Sequence, residues 1–261
     1  MTMLATRLLG VGDVQTVDVP IPDPGPEDIL VRVEAAGICG TDRHLFKGEF
    51  PSVQGTTLGH EFSGIVVDGG GSDFAVGVRV TCDPNTWCGA CDQCRRGRVN
   101  LCSNNIATGI ARDGGFAEFC AFPASKAHIL PASLDTLFGA FCEPLACTLH
   151  GMDIGEPRPG ERVLVIGGGV IGLLAVQLAN LAGGEVMLLT RSSAKQGLGQ
   201  MLGADLVAGS EAEARAQWPA GADLVVECAG VADTVKMSPG LTRTGGRVVV
   251  LGVLPSGEQV L

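Results

Sequence analysis

Tyrosine is absent from this sequence of 261 residues, and Phe and Trp together make up only 4% of it. An aromatic cage or a sugar-stacking platform therefore has no evident source. Basic residues are also scarce, with 18 Lys and Arg against 28 Asp and Glu and a net charge of −10. A protein that grips a phosphate backbone needs clustered Lys and Arg. The one basic cluster here is Arg95, Arg96 and Arg98, so nucleic acid is excluded as a partner. No secretory leader opens the chain, because residues 1–10 hold no long apolar run. The ten cysteines are then read as thiols of a cytoplasmic protein, and metal ligation explains them better than disulfides. A membrane span is the last class to fall. Val163 to Gly184 is uncharged over 22 residues, long enough to cross a bilayer, yet Gly167, Gly168, Gly169 and Gly172 break it and Gln177 and Asn180 lie within it. A buried strand, a tight turn and a buried helix account for it, and no membrane partner is expected.

What is present supports a folded core. Apolar residues reach 46% and charged residues 18%, which excludes disorder along the whole chain. The chain carries 39 Gly and 14 Pro, but no Gly-X-Y period that would make it collagen-like. Up to about Leu149 the pattern is one of short strands and turns. Ile29 to Ala35 alternates, with Arg32 and Glu34 on one face, after a Pro-rich entry at Pro20, Pro22, Pro24 and Pro26. Ile65 to Asp68 and Val78 to Val80 are further strands, separated by a turn at Gly69, Gly70 and Gly71. Gly151 to Gly160, with Pro157 and Pro159, reads as a connection. Beyond it strands alternate with helices. Strands are expected at Arg162 to Ile166, Val186 to Leu189, Leu206 to Val207, Asp223 to Cys228 and Arg247 to Leu251. Helices are expected at Val170 to Ala182 and at Ser193 to Leu202, the latter capped by Ser192 or Ser193. This rhythm implies a parallel sheet with helices on its faces. Two domains follow, residues 1–150 and residues 151–261.

Cys88, Cys91, Cys94 and Cys102 are spaced x2, x2 and x7. Two-residue gaps let successive thiolates converge on one tetrahedral ion, and Gly89 and Gly97 permit the turns. Four thiolates leave no open position, so this zinc would be structural. A second constellation is weaker when taken alone. Cys39 precedes Thr41, Asp42 and His44, and His60 and Glu61 follow downstream. One thiolate, one imidazole and neighbouring carboxylates can hold zinc with a position left open; a buried thiol and a hydrogen-bonded histidine are the alternative.

Arg162 to Ile166 runs into Gly167, Gly168, Gly169, Val170, Ile171 and Gly172, which is G-x-G-x-x-G after a strand and opening a helix. Gly167 makes the turn, Gly169 lets the backbone approach a pyrophosphate, and Gly172 lets helix and strand pack closely. The N–H groups of the first helical turn face the phosphates. An NAD site would end the next strand in Asp or Glu. Here Thr190, Arg191 and Ser192 stand instead. Arg191 suits a 2′-phosphate and Ser192 adds a hydrogen bond, so NADP is favoured over NAD, with a solvated Arg191 and use of either cofactor as the alternative.

Taken together and in order, these stretches resemble the zinc-dependent medium-chain alcohol/polyol dehydrogenases. The matching segments are Gly37 to Asp42 (Gly-Ile-Cys-Gly-Thr-Asp), Gly59 to Gly64 (Gly-His-Glu-Phe-Ser-Gly), the cysteine knuckle, Glu143 to Ala146 (Glu-Pro-Leu-Ala) and the glycine turn. They span almost the whole chain. The resemblance implies a GroES-like β-barrel-type catalytic domain, followed by a doubly wound Rossmann domain that is incomplete at its C-terminus. It implies that Cys39 and His60 ligate a catalytic zinc, with Glu143 as third ligand in the manner of the sorbitol-dehydrogenase-like branch. Cys142 stands next to Glu143 and complicates that choice. Glu61 would be an alternative ligand or act through water, and Asp42 would orient His60, unless it only caps a turn. Thr41 would pass on the substrate proton and His44 would carry it to solvent.

The implied reaction moves a hydride between NAD(P) and a secondary alcohol, either a sugar alcohol or a vicinal diol, giving a ketone. Threonine- or sugar-type dehydrogenases are the alternative, as is a cofactor-binding zinc protein without turnover. Phe46, Phe50 and Phe116 are candidates for a substrate pocket and equally for core. Family members continue beyond the position of Leu261, so the resemblance implies a fragment or truncated form. The full-length form would be a dimer or tetramer.

Overall fold

The computed structural model describes residues 1–257 and residue 260. It divides into two compact units, Met1–Glu143 and Pro144–Leu261. In the first unit the chain opens with an antiparallel hairpin, β1 (Thr2–Gly10) and β2 (Asp13–Pro20), turned at Val11 and Gly12. Gly12 has φ +74°, a conformation that suits glycine in a two-residue turn. β3 (Asp28–Gly37) follows, then helix α1 (Gly40–Lys47) and β4 (Glu61–Asp68). Next come β5 (Arg79–Cys82), β6 (Asn85–Thr86), the short helix α2 (Asp92–Arg95) and β7 (Ile106–Ala107). β8 (Phe119–Pro123), β9 (Ala127–Ile129) and helix α3 (Thr136–Gly139) complete the unit.

Five of these strands form one antiparallel sheet in the order β8-β3-β4-β5-β9. Its buried face gathers Ile29, Val31, Phe62, Val66, Val80, Cys82, Cys120 and Phe122. Phe62 and Phe122 meet edge to face with centroids 5.4 Å apart. Arg32 and Glu34 pair at 2.7 Å outside this core, consistent with the alternation of β3. β6 and β7 pair with each other and close the base of the cysteine-rich loop.

The second unit begins in helix α4 (Cys142–Gly155), whose first two residues belong to the first unit. This corrects the expectation of a connection from Gly151, because the helix runs on to Gly155 and only the Pro157–Pro159 stretch is irregular. The cause is burial: Gly151, Met152 and Gly155 face inward, and Met152 joins the sheet's core. Glycine lowers helix propensity, but here its missing side chain makes room, since a Cβ on Gly151 would run into Leu251.

After α4 the chain alternates. β10 (Arg162–Ile166) leads to α5 (Val170–Leu181), and β11 (Glu185–Leu189) to α6 (Ser193–Met201). β12 (Leu206–Ala208) leads to α7 (Glu211–Gln217), and β13 (Ala222–Glu227) to α8 (Ala232–Leu241) and β14 (Thr242–Val250). All pairings are parallel, in the order β12-β11-β10-β13-β14. Successive residues of β10 point to opposite faces: Val163 and Val165 pack with α4 and α5, and Leu164 and Ile166 pack with Ala214 of α7 and Leu241 of α8. The sheet is thus covered on both sides, which is the doubly wound class expected from the sequence. β14 is an edge strand among the described residues, and Val248 and Val250 on it are exposed. The sequence expectation of an incomplete sheet rests on Leu261, which lies outside the described residues.

Leu188 is fully buried in the centre of β11. Leu188→Ala should lower stability by about 3 kcal/mol, the usual cost of a leucine-sized cavity. Urea titration followed by circular dichroism would read the loss, and a change under about 1 kcal/mol would mean that the site collapses around the smaller side chain.

Candidate metal and dinucleotide sites

Strand register builds the first site. β3 and β4 pair antiparallel with Gly37 opposite Glu61. Cys39 lies two residues beyond the end of β3 and His60 one residue before the start of β4, so the pairing carries both to the same end of the ladder. The thiol sulfur of Cys39, a ring nitrogen of His60 and a carboxylate oxygen of Glu61 all lie within 4.8 Å of one another. Gly37 makes this possible, since a Cβ there would overlap the Glu61 carboxylate. Gly59 adopts φ +94°, and a side chain on it would enter the Phe116 ring, so glycine is required to present His60.

Asp42 fixes the pair from behind. It sits in the first turn of α1, and its Oδ2 accepts the Cys39 N–H at 2.8 Å. Its Oδ1 lies 3.6 Å from Nδ1 of His60, and both atoms are buried without a hydrogen-bond partner. Burial works to lower the His60 pKa, but the acidic groups of Asp42 and Cys39 beside the ring favour its charged form, outweigh burial and lift the pKa to about 10. A buried imidazole between a thiol and a carboxylate, with unpartnered polar atoms beside it, fits a divalent cation that would take the place of the extra proton. The donor set of S, N and O suits zinc. Glu143, expected as a further ligand, stands half-buried in the first turn of α4 and is not among the three mutually close groups.

Thr41 and His44 both lie on α1. His44 is engaged: its Nδ1 is 2.5 Å from Glu49 and its ring stacks on Phe50. Phe50 and Phe116 pack around Leu8, Leu45 and Leu58, so two of the three pocket candidates belong to a small core, whereas Phe46 is exposed.

The second site is the cysteine knuckle. The sulfurs of Cys88, Cys91, Cys94 and Cys102 all lie within 4.8 Å of one another. Cys102 is 3.5 Å from Cys88 and 3.9 Å from Cys91, well beyond a disulfide bond. Zn–S bonds of about 2.3 Å place tetrahedral corners about 3.8 Å apart, so the spacing fits an ion at the centre. Gly89 at φ +68° and Gly97 at φ +77° turn the loop. Backbone N–H groups point at the sulfurs, with Cys91 N donating to Cys88 Sγ and Cys88 N to Cys102 Sγ, both at 3.3 Å. Hydrogen bonds from the Ala90 and Cys91 backbone hold the Cys88 thiol below its usual pKa, and those from Cys94 and Ser103 hold Cys91 at about 6. Desolvation and the neighbouring thiols push Cys94 up to about 12. Trp87, which precedes the knuckle, is held by the Lys126 ammonium 2.9 Å from its ring centroid, and Lys126 pairs with Asp83 at 3.0 Å.

The third site opens at the end of β10. Gly167 takes φ +106° and its N–H reaches the Leu189 carbonyl at 2.9 Å. A Cβ on Gly172 would strike the Gly167 carbonyl, whereas one on Gly169 would meet nothing within 4 Å. The backbone therefore lies bare at Gly169, just before Val170 and Ile171 start α5, where first-turn N–H groups have no partner within the helix. Just past the end of β11 the Thr190 carbonyl accepts from Gln196 Nε2 at 2.8 Å, and Ser192 caps α6 by accepting the Lys195 N–H at 3.4 Å. Arg191 is exposed beside them.

Two residues that sequence reasoning passed over join this site. The Lys195 side chain packs against Gly168, and its i, i+4 spacing from Arg191 was the available signal. Glu227 is fully buried at the end of β13 and accepts from Ala229 N at 2.8 Å and Thr234 Oγ1 at 2.7 Å, fastening the loop that lies against Gly167. An acid closing an apolar strand was its signal. Among the described residues no helix is long and apolar enough to cross a membrane.

Comparison with known proteins follows the same division. Residues 25–132 match the family model described as alcohol dehydrogenase GroES-like domain, and residues 170–261 match that of zinc-binding dehydrogenase. The chain is 35% identical to a sorbitol dehydrogenase of Halalkalibacterium halodurans, over 99% of this chain and 78% of the relative. It is 34% identical to D-arabinitol dehydrogenase 1 of Uromyces fabae, over 93% and 72% respectively. A structure from Sinorhizobium meliloti 1021, solved bound to NADP, superposes with a TM-score of 0.96 at 53% identity, covering 100% of this chain and 80% of that one.

Metal content of single variants should separate the two clusters. Cys94→Ser should lower bound zinc by one ion per chain, and Cys39→Ala should remove a different one, as read by elemental mass spectrometry. A Cys39→Ala chain that keeps every ion of the parent would show that Cys39 is not a ligand. The folded-state pKa of Cys91 is depressed, so its thiolate is available above about 6 and is lost below it. Zinc uptake by the stripped knuckle should accordingly fall off as the pH drops through that value.

Proposed function

The chain belongs to the zinc-binding, medium-chain alcohol dehydrogenase family, and on that premise we propose that it moves a hydride between a sugar alcohol or vicinal diol and NADP, giving a ketone. The observation that carries this reading is the meeting of Cys39, His60 and Glu61 within 4.8 Å in a chain that also presents a bare glycine turn after its first parallel strand. Sorbitol and arabinitol dehydrogenases among the relatives support a polyol as substrate. The NADP-bound relative, the absence of an acid after β11 and the presence of Arg191 support the cofactor.

Cys39 and His60 would hold zinc, with Glu61 or Glu143 completing the set. Zinc bound there supplies a Lewis acid that makes an alcohol oxygen acidic and polarises a ketone. Asp42 keeps the His60 ring in place through its edge. Thr41, two residues past Cys39, takes and gives the substrate proton through one hydroxyl. The N–H groups at the start of α5 donate to the pyrophosphate oxygens, and Gly169 allows its close approach. Arg191 and Ser192 receive the 2′-phosphate, and Lys195 adds a second positive charge beside Gly168. The knuckle binds a second, structural zinc. The partner is a small alcohol; a homo-oligomeric, cytoplasmic form is part of the same proposal.

Purified protein should oxidise at least one member of a panel of sugar alcohols and diols, followed by the absorbance of the reduced cofactor. L-Threonine and aldose sugars belong in the panel, and a preference for either would move the substrate class without touching the zinc chemistry. Cys39→Ala should abolish turnover while the knuckle keeps its ion, and full activity in that variant would sink the assignment. The ratio of kcat/KM for NADP over NAD should exceed one and fall at least tenfold in Arg191→Ala, as expected when a charge-assisted phosphate contact worth about 1.5–3 kcal/mol is removed. An NAD preference above tenfold in the parent would refute the cofactor reading.

A further inference from the structure

Helix α1 carries a polar line that runs past the residues used so far. Thr41 and His44 are three positions apart on it and so share a face. The helix ends at Gly48, whose left-handed φ of 72° turns the chain back. The Glu49 N–H then bonds the His44 carbonyl at 2.9 Å. This turn returns the Glu49 side chain to the His44 ring, with Oε2 at 2.5 Å from Nδ1. Phe50 stacks on the same ring, centroids 4.6 Å apart. The imidazole is thus held by an aromatic face and a carboxylate edge. The His44 and Glu49 side chains keep 18% and 27% of their surface in solvent, so a proton reaching them can leave to water.

The charged groups acting on Glu49 are few. The hydrogen bond from His44 comes first in holding its carboxyl below the usual carboxylate range, and the Lys47 ammonium, 3.7 Å from Oε1, adds to it. An ionised carboxylate can only accept, so the hydrogen between the two side chains belongs to Nδ1. Neutral His44 then keeps its lone pair on Nε2.

We propose that Glu49 is a positioning residue for proton transfer: it keeps Nδ1 of His44 protonated and occupied, leaving Nε2 as the one ring acceptor for a proton handed on by Thr41. This rests on the dehydrogenase reading of Cys39, Thr41 and His44. Oxidation of an alcohol to a ketone sheds one hydride, which the nicotinamide takes, and one proton, which alone follows this route. Thr41 receives that proton on its oxygen as its own hydroxyl hydrogen passes to Nε2. The imidazolium so formed faces the Glu49 carboxylate across Nδ1, and it gives the proton on Nε2 to water. His44 returns to its starting tautomer with no net change in either residue.

The tautomer can be read without turnover, by nitrogen NMR of the intact chain, which has only four histidines to assign. Wild-type His44 should carry its proton on Nδ1. Glu49→Gln keeps an acceptor without the charge and should preserve that tautomer; Glu49→Ala should lose it. With NADP and the preferred alcohol, Glu49→Ala should lower kcat for oxidation about tenfold while KM for the alcohol stays within about twofold. Added imidazole should restore part of the rate. A wild-type ring protonated on Nε2, or an unchanged tautomer in Glu49→Ala, overturns the proposal. A changed tautomer with unchanged kcat also overturns it, because the pair is then a helix-end clasp and nothing more. A wild-type chain that binds zinc and NADP but oxidises no alcohol fails differently: it overturns the dehydrogenase reading, and the proton path falls with it whatever the tautomer.

Discussion

The pairing of β3 with β4 is the constraint on which the candidate site at Cys39, His60 and Glu61 depends. Gly37 opposite Glu61 is one rung of an antiparallel ladder, and it decides that Cys39 and His60 emerge side by side. A slip by one residue would turn Glu61 to the other face of the sheet and carry Phe62 out of the core. The register is therefore held by burial, since Phe62, Val66 and Val31 all sit in one apolar cluster. Nothing in the metal site has to supply that energy. A hydrophobic face fixes the ladder, and the ladder then sets three unlike donors within reach of one ion. Gly37 and Gly59 complete the arrangement by leaving out side chains where the Glu61 carboxylate and the Phe116 ring must pass.

The second unit solves a different problem with the same economy. A parallel sheet ends all its strands at one edge, where loops can gather around a ligand. Gly167 bonds to β11 through Leu189, and Cys228 of the next loop bonds back to Ile166. Glu227, fully buried, ties that loop down with three hydrogen bonds from Ala229, Gly230 and Thr234. A buried carboxylate is costly unless each lone pair is answered, and here backbone N–H groups and a hydroxyl answer them. These bonds fasten the loop beside Gly167, while the backbone at Gly169 stays uncovered.

Much of this was legible in the sequence, and what was legible was local. The x2, x2, x7 spacing of the knuckle brings its ligands together by turn geometry over fifteen residues, with little help from distant strands. The glycine turn likewise lies between one strand and the helix that follows it. Ser192 as a helix cap and the strand–helix alternation are of the same kind. The meeting of Cys39, His60 and Glu61 was not legible from spacing, because it depends on strand register; only a resemblance of motifs suggested it. The helical stretch at Gly151 was hidden because Gly151, Gly155, Pro157 and Pro159 mark breaks by propensity, while burial of Gly151 against Leu251 and of Met152 in the sheet's core decides otherwise. Glu49 escaped notice since its partner His44 is reached through a left-handed turn at Gly48, which sequence alone shows only as a glycine.

The two candidate metal sites differ in what their protons do. In the knuckle the thiols stand 3.5 to 3.9 Å apart where distances are known, and four negative charges cannot share that space without a cation. Backbone N–H groups already hold Cys91 down at about 6, while desolvation and the neighbouring thiols push Cys94 up to about 12, so the four sulfurs do not ionise together. An ion resolves this by displacing the remaining protons, and the closed tetrahedron then has no vacancy for chemistry. At Cys39, His60 and Glu61 the donors are unlike and fewer, and Asp42 already satisfies one side of the cluster. A cation there would be held by three groups and would keep room for a fourth. The same element can therefore be structural in one loop and reactive in another. What separates the roles is whether the chain spends all its donors on the ion or keeps one position for the substrate.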